Sequence, residues 1–218
     1  MSDDSLFREV DEDVRQEQYK KLWDRYGNVL IALCAAVVIG VAGFKGWQYW
    51  QVKQSEAAGQ AYFQALKTAG GDKPLDGVSE LQHISQTGFK TLADLRAAAI
   101  LAQQGKADDA LKVYEAVAAD GSADASLREL AEIRAGYLLA DTLGPEDLQK
   151  RLAKFDADGN AWRNNMREIV GIAAWRSKNY VLADKVMNEI LSDIAEQGGV
   201  RQRASMMLEL IAPLLPKS

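Results

Sequence analysis

Two residue types that often carry chemistry are nearly absent: the 218-residue chain has one cysteine, Cys34, and one histidine, His83. A lone cysteine excludes an internal disulfide and any multi-cysteine zinc site. A lone histidine leaves few routes to a histidine-based metal cluster. Proline is scarce at 4 residues while alanine reaches 33, a balance that predicts an all-helical chain. A basic surplus is missing too. With 26 Lys and Arg against 31 Asp and Glu the net charge is −5, which argues against a nucleic-acid binder. The length allows one or two domains and a sizeable core.

What is present departs sharply from this average. Tyr26 to Phe44 are 19 residues without a charge, and Val29 to Phe44 are all Ala, Val, Ile, Leu, Cys, Gly or Phe. As a helix they span about 28 Å, close to the hydrocarbon thickness of a bilayer. Nine strongly apolar residues in the run favour insertion by about 3–5 kcal/mol. Rings flank both ends, Trp23 and Tyr26 before and Trp47, Tyr49 and Trp50 after. Such rings prefer the headgroup level of a lipid bilayer. A buried core helix would not need aromatic belts, and Phe44-Lys45-Gly46 offers no small-x-small cleavage pattern for a signal peptide. The pattern predicts an uncleaved single-pass anchor. Along it, Ala32, Ala36 and Gly40 form a small-residue stripe able to let another span pack closely.

Orientation follows from Lys and Arg. Five precede the span (Arg8, Arg15, Lys20, Lys21, Arg25), whereas only Lys45 and Lys53 follow over a similar length. The positive side stays cytoplasmic. The expected division is a charged cytoplasmic tail over residues 1–25, a membrane segment with aromatic flanks over 26–52, and an external domain over 53–218. The tail is expected to be disordered. In helical form, its Leu6, Phe7, Val10 and Val14 would give a short docking stripe.

Beyond Val52 there is no sustained alternation of period two. Helical stretches are separated by breaks at Gly70-Gly71, Gly88, Gly105, Gly121-Ser122, Gly144, Asp158-Gly159-Asn160, Lys178-Asn179 and Gly198-Gly199. Overlaid, they repeat. Ala110, Leu148 and Ala183 recur at 38 and 35 residues, as do Tyr114, Leu152 and Met187. The preceding helices carry Ala98, Gly136 and Gly171 at the same offsets, followed by Leu101, Leu139 and Ala174. This is a tetratricopeptide-type layout, in which helix pairs stack because none buries its apolar face alone. The expected fold is all-α: a transmembrane helix, then an α-solenoid of helix pairs, with a C-terminal capping helix over Gly199–Ala212.

Gly46-Trp47-Gln48-Tyr49-Trp50 after the span and Ala61-Tyr62-Phe63-Gln64-Ala65 beyond it carry a resemblance. With them go Leu95 to Leu111, including the Gln103-Gln104-Gly105 turn, and Trp162, Gly171 and Lys178. Over roughly residues 20–195 the chain resembles the ancillary subunit family of the bacterial Sec translocon. The resemblance implies a single-pass inner-membrane protein whose periplasmic repeats meet a membrane-anchored chaperone of the peptidyl-prolyl isomerase type at the translocon. A scaffold coordinating cell-wall synthesis or division is the alternative such repeats would serve.

No catalytic constellation emerges, and neither a cofactor nor a small-molecule substrate is expected. His83 has no second histidine or external cysteine to act with. Asp156-x-Asp158-Gly159-Asn160 is not a calcium loop, since Ala161 stands where glycine is required and Arg167 where glutamate is due. Partner binding is instead expected on the concave face of the first helices, lined by Arg96, Glu132, Arg134, Tyr137, Arg163 and Arg167. Trp162 and Trp175 read as packing residues.

Overall fold

The computed structural model describes residues 3–193 and 198–216, with side chains from residue 19 onward. All regular structure among them is helical. The chain divides into two compact units, Met1–Glu56 and Ala57–Ser218.

The first unit is built from α1 (Asp3–Ala69). Its tail is helical from Asp3 rather than disordered, because no glycine or proline interrupts the chain before Gly27 and Glu, Arg, Gln and Lys are good helix formers. The side chains of Leu6, Phe7, Val10 and Val14 lie outside the described ones. From Val29 to Phe44 the large apolar side chains are 51–71% exposed. That is the opposite of a core helix. Among the described residues, one helical segment, Tyr19–Ala69, is long and apolar enough to cross a membrane.

The second unit starts with residues 57–69 of α1. It continues with α2 (Pro74–Gln82), α3 (Thr87–Gln103), α4 (Ala107–Ala119), α5 (Ala125–Leu139) and α6 (Pro145–Arg151). A 3-10 turn, Ala153–Phe155, follows, then α7 (Arg163–Arg176), α8 (Tyr180–Ser192), α9 (Gly199–Ile211) and a last 3-10 turn, Ala212–Leu214. Pro74 and Pro145 open their helices, where a missing N–H costs nothing. Gly88 is not a break. The Gln86 side chain accepts from the Gly88 and Phe89 amides and starts α3 one residue earlier.

From α2 to α5 and from α6 to α9 each helix packs on the next, and α3, α5, α7 and α9 also touch one another in succession. These four form one layer. The anchors of the repeat are buried throughout: Ala110, Leu148 and Ala183 have no exposed surface, and Tyr114, Leu152 and Met187 keep 4% or less. The small residues of the first helices allow close approach. A Cβ on Gly136 would meet Leu152 Cδ1 at 3.1 Å and Ile169 Cδ1 at 3.0 Å, and one on Gly171 would meet Val186 Cγ2 at 2.9 Å as well as Met187 Cε. Two of the turns inside pairs are alike: Lys106 and Asn179 donate backbone N–H bonds five residues back, to Leu101 and Ala174. Each turns on a left-handed residue, Gly105 (φ 74°) in one and Lys178 (φ 62°) in the other. The pair α5–α6 departs from the pattern, α6 being only 7 residues long. Its neighbour compensates, for Arg176 at the end of α7 donates to the free carbonyls of Ala140 and Leu143 after α5, at 2.9 and 2.6 Å.

Candidate functional site

The layer formed by α3, α5, α7 and α9 carries a polar network. Glu168 lies in α7, followed by the buried Ile169 and Val170, and keeps only 3% of its surface exposed. Its carboxylate is held by Arg203 from α9, whose Nε and Nη2 donate to Oε1 and Oε2 at 2.5 and 2.7 Å. The Tyr137 hydroxyl from α5 donates to Oε2 at 2.5 Å and itself accepts from Asn165 Nδ2 at 3.2 Å. One buried charge thereby ties three helices together. Burial first, and then the bond to Glu168, push the Tyr137 phenol up to about 12. The hydrogen bond to Glu168 likewise raises Arg203.

Around this network is a pocket of about 330 Å³ lined by Leu130, Ile133, Arg134, Tyr137, Trp162, Asn165 and Arg203. Trp162 donates its indole N–H to Glu129 Oε2 at 3.1 Å and packs on the core, so it behaves as the packing residue expected from the sequence. Trp175 does not, being 39% exposed.

The six residues expected on one face are distributed over three places. Arg96 and Arg134 are exposed at equivalent positions of α3 and α5, and both act electrostatically on the buried Tyr114, whose hydroxyl is shifted upward mainly by burial. Tyr137 lies beside Arg134 in the pocket. Glu132 turns instead toward the 3-10 turn after α6, pairing with Lys154 at 2.6 Å. Arg163 and Arg167 line a separate groove of about 920 Å³ between α7 and α8. Arg163 pairs with Asp158 at 2.7 Å, and Arg167 lies 3.6 Å from Glu189. In the first unit Ala32, Ala36, Gly40, Trp23, Tyr26, Trp47, Tyr49 and Trp50 are all exposed along α1.

Sequence reasoning missed Glu168, Asn165 and Arg203. A signal existed: a glutamate inside Met166-Arg167-Glu168-Ile169-Val170 falls on a buried stretch, and Arg203 follows one repeat length, 35 residues, later. Another signal is Asp120, Asp158 and Asp193, which keep the 38- and 35-residue spacing of the anchors. Each ends a second-helix segment beside an arginine of the next unit. Arg163 reaches Asp158, Arg201 donates to the Asp193 carbonyl at 3.3 Å, and Arg128 donates to the Gly121 carbonyl beside Asp120, whose carboxyl is lowered mainly by the Ser122 hydrogen bonds, then by Lys90 and least by Arg128.

His83 is exposed, with Nδ1 2.6 Å from the Ser79 carbonyl oxygen. No group of three or more His, Cys, Asp or Glu able to hold a metal occurs among the described residues. The arrangement offers surfaces and charged side chains suited to binding a partner. A family model described as a tetratricopeptide repeat-like domain matches residues 20–208. No curated protein and no solved structure matches the chain.

Proposed function

Because the chain belongs to the tetratricopeptide repeat-like domain family, a fold typically non-enzymatic and devoted to protein–protein interaction, we propose that it is a membrane-anchored scaffold serving newly translocated proteins. Residues 26–52 cross the bacterial inner membrane, 1–25 stay in the cytoplasm and 53–218 work in the periplasm. The span docks beside the Sec translocon through Ala32, Ala36 and Gly40. The repeats hold a membrane-anchored chaperone of the peptidyl-prolyl isomerase type near the exit, through the layer that carries Arg96, Arg134 and Tyr137. The observation that supports this reading best is the unbroken exposed apolar stretch of α1, bordered by rings and joined in one chain to a stacked-helix unit.

Crosslinking in native membranes tests it. Adducts with translocon subunits and a periplasmic chaperone are expected, whereas adducts with cell-wall synthases alone would replace this reading by an envelope scaffold. Ala36→Leu with Gly40→Leu should weaken recovery of translocon subunits, since among the described residues nothing lies within 4 Å of a Cβ on Gly40 and the added bulk faces outward from the helix. Unchanged recovery would remove the stripe from the proposal.

A further inference from the structure

Arg96 and Arg134 stand one repeat length apart, 38 residues, at equivalent places on the adjacent helices α3 and α5. Both are exposed, and neither makes an ion pair or a hydrogen bond among the described residues. The carboxylates of their own helices are committed elsewhere. Asp94 accepts from Lys90, Glu129 from the Trp162 indole and Glu132 from Lys154. Glu168, the buried acid of the same layer, is held by Arg203 and Tyr137. Two guanidinium groups are thus left with their donors and their charge uncompensated.

A third group near them lacks a partner. The helix α4 packs on both α3 and α5, and its Tyr114 shares one core cluster with Ala97 and Ala98 of α3 and Ala131 and Ala135 of α5. Tyr114 keeps only 4% of its surface exposed, yet its hydroxyl makes no hydrogen bond among the described residues. A phenol so buried normally finds one. Burial raises this phenol, and the charges that oppose the shift are Arg134 and then Arg96, so both guanidinium groups lie near it. On the far side of Arg134 the pocket of about 330 Å³ continues along Leu130, Ile133 and Trp162.

We propose that Arg96, Arg134 and the Tyr114 hydroxyl clamp the carboxylate of an acidic side chain in an extended segment of a partner protein, and that an apolar side chain of the same segment enters the pocket beside Arg134. A carboxylate presents acceptors to both guanidinium groups and to the phenol at once, and so supplies the missing partner of all three. Side chains two residues apart in an extended chain share a face, which lets an acidic and an apolar residue in alternation reach the two places together. The apolar walls of the pocket favour a peptide over the phosphate of a lipid headgroup, which carries no short apolar branch to fill them. The clamp rests on the reading of this layer as the partner surface and adds the chemistry of the segment it takes.

The test uses the full chain in neutral detergent micelles and a fluorescein-labelled peptide whose glutamate lies two residues from a leucine on either side. Anisotropy should show saturable binding that disappears when glutamine replaces the glutamate. Arg96→Gln and Arg134→Gln should each weaken it about tenfold, the loss expected for one charge-assisted contact, and Tyr114→Phe about threefold. Thermal unfolding should keep the wild-type midpoint in all three variants, because neither the arginines nor the phenol has a partner in the fold to lose. No binding, equal binding of the glutamine peptide, insensitivity to Arg134→Gln, or a lowered midpoint for Tyr114→Phe would each overturn the clamp. So would retention of phosphatidylglycerol, instead of the peptide, by the same arginines. A photoreactive benzoylphenylalanine in place of Leu92, 39% exposed one turn before Arg96, probes native membranes from the same layer. Chaperone adducts should form there and disappear in the Arg96→Gln, Arg134→Gln double variant. Adducts that survive the double change would overturn the clamp and leave the layer as the partner surface, whereas peptide binding without adducts would do the reverse.

Discussion

At the scale of single residues, Glu168 concentrates the largest risk. A carboxylate this buried is tolerable because Arg203 and Tyr137 satisfy it. Arg203→Ala removes the cation and leaves the charge behind, so it should cost about 2–4 kcal/mol in urea unfolding. Adding Glu168→Leu to that variant should recover part of the loss, because no buried charge then remains. The phenol gives a pH signature. Tyr137 titrates at about 12 in the fold against about 10 when unfolded, so the folded state binds more protons between these values. Its stabilising contribution is complete below about pH 10 and disappears as pH rises toward about 12. Tyr137→Phe should flatten this part of the stability curve relative to wild type in denaturant titrations. An unchanged slope would show that the phenol does not carry the effect.

At the scale of elements, close helix contacts separate glycines that look equivalent in sequence. A Cβ on Gly77 would lie 2.5 Å from the Ala69 backbone nitrogen, whereas one on Gly136 meets only the ends of Ile169 and Leu152, at 3.0 and 3.1 Å. Side-chain tips can rotate away and backbone cannot. Gly77→Ala should therefore cost about 2–3 kcal/mol and Gly136→Ala under about 1, compared by chemical denaturation. The repeat itself was readable because burial of six anchors imposes a fixed spacing on small and large apolar residues. The positions of Glu132, Arg163 and Arg167 were not. Periodicity assigns a residue to a helix, but which flank a long side chain takes is decided by partners such as Lys154 and Asp158, brought near only by stacking. The start of α3 was misplaced for a local reason, since glutamine is a rare N-terminal cap and Gly88 looked like the stronger signal. In the tail, high charge favours disorder and the absence of glycine and proline favours a helix, and the second prevails from Asp3 onward.

For the molecule as a whole, one exposed apolar segment and one stacked unit divide the work. Insertion of the segment is favoured by about 3–5 kcal/mol, and an arginine at its centre opposes insertion by about 3. Ile39→Arg should thus bring the balance near zero and shift the protein from the membrane pellet to the supernatant on carbonate washing. Retention in the pellet would mean that other contacts hold it there. The Arg176 bonds to Ala140 and Leu143 set a different constraint, one of time. A chain made from its N-terminus has residues 125–155 available well before residue 176 exists. Through that interval the carbonyls of Ala140 and Leu143, at the link between α5 and α6, must rely on water. The link between α5 and α6 is therefore completed only once α7 has been supplied, and a stalled chain ending before residue 176 should be more open to proteolysis at residues 140–144 than the full chain.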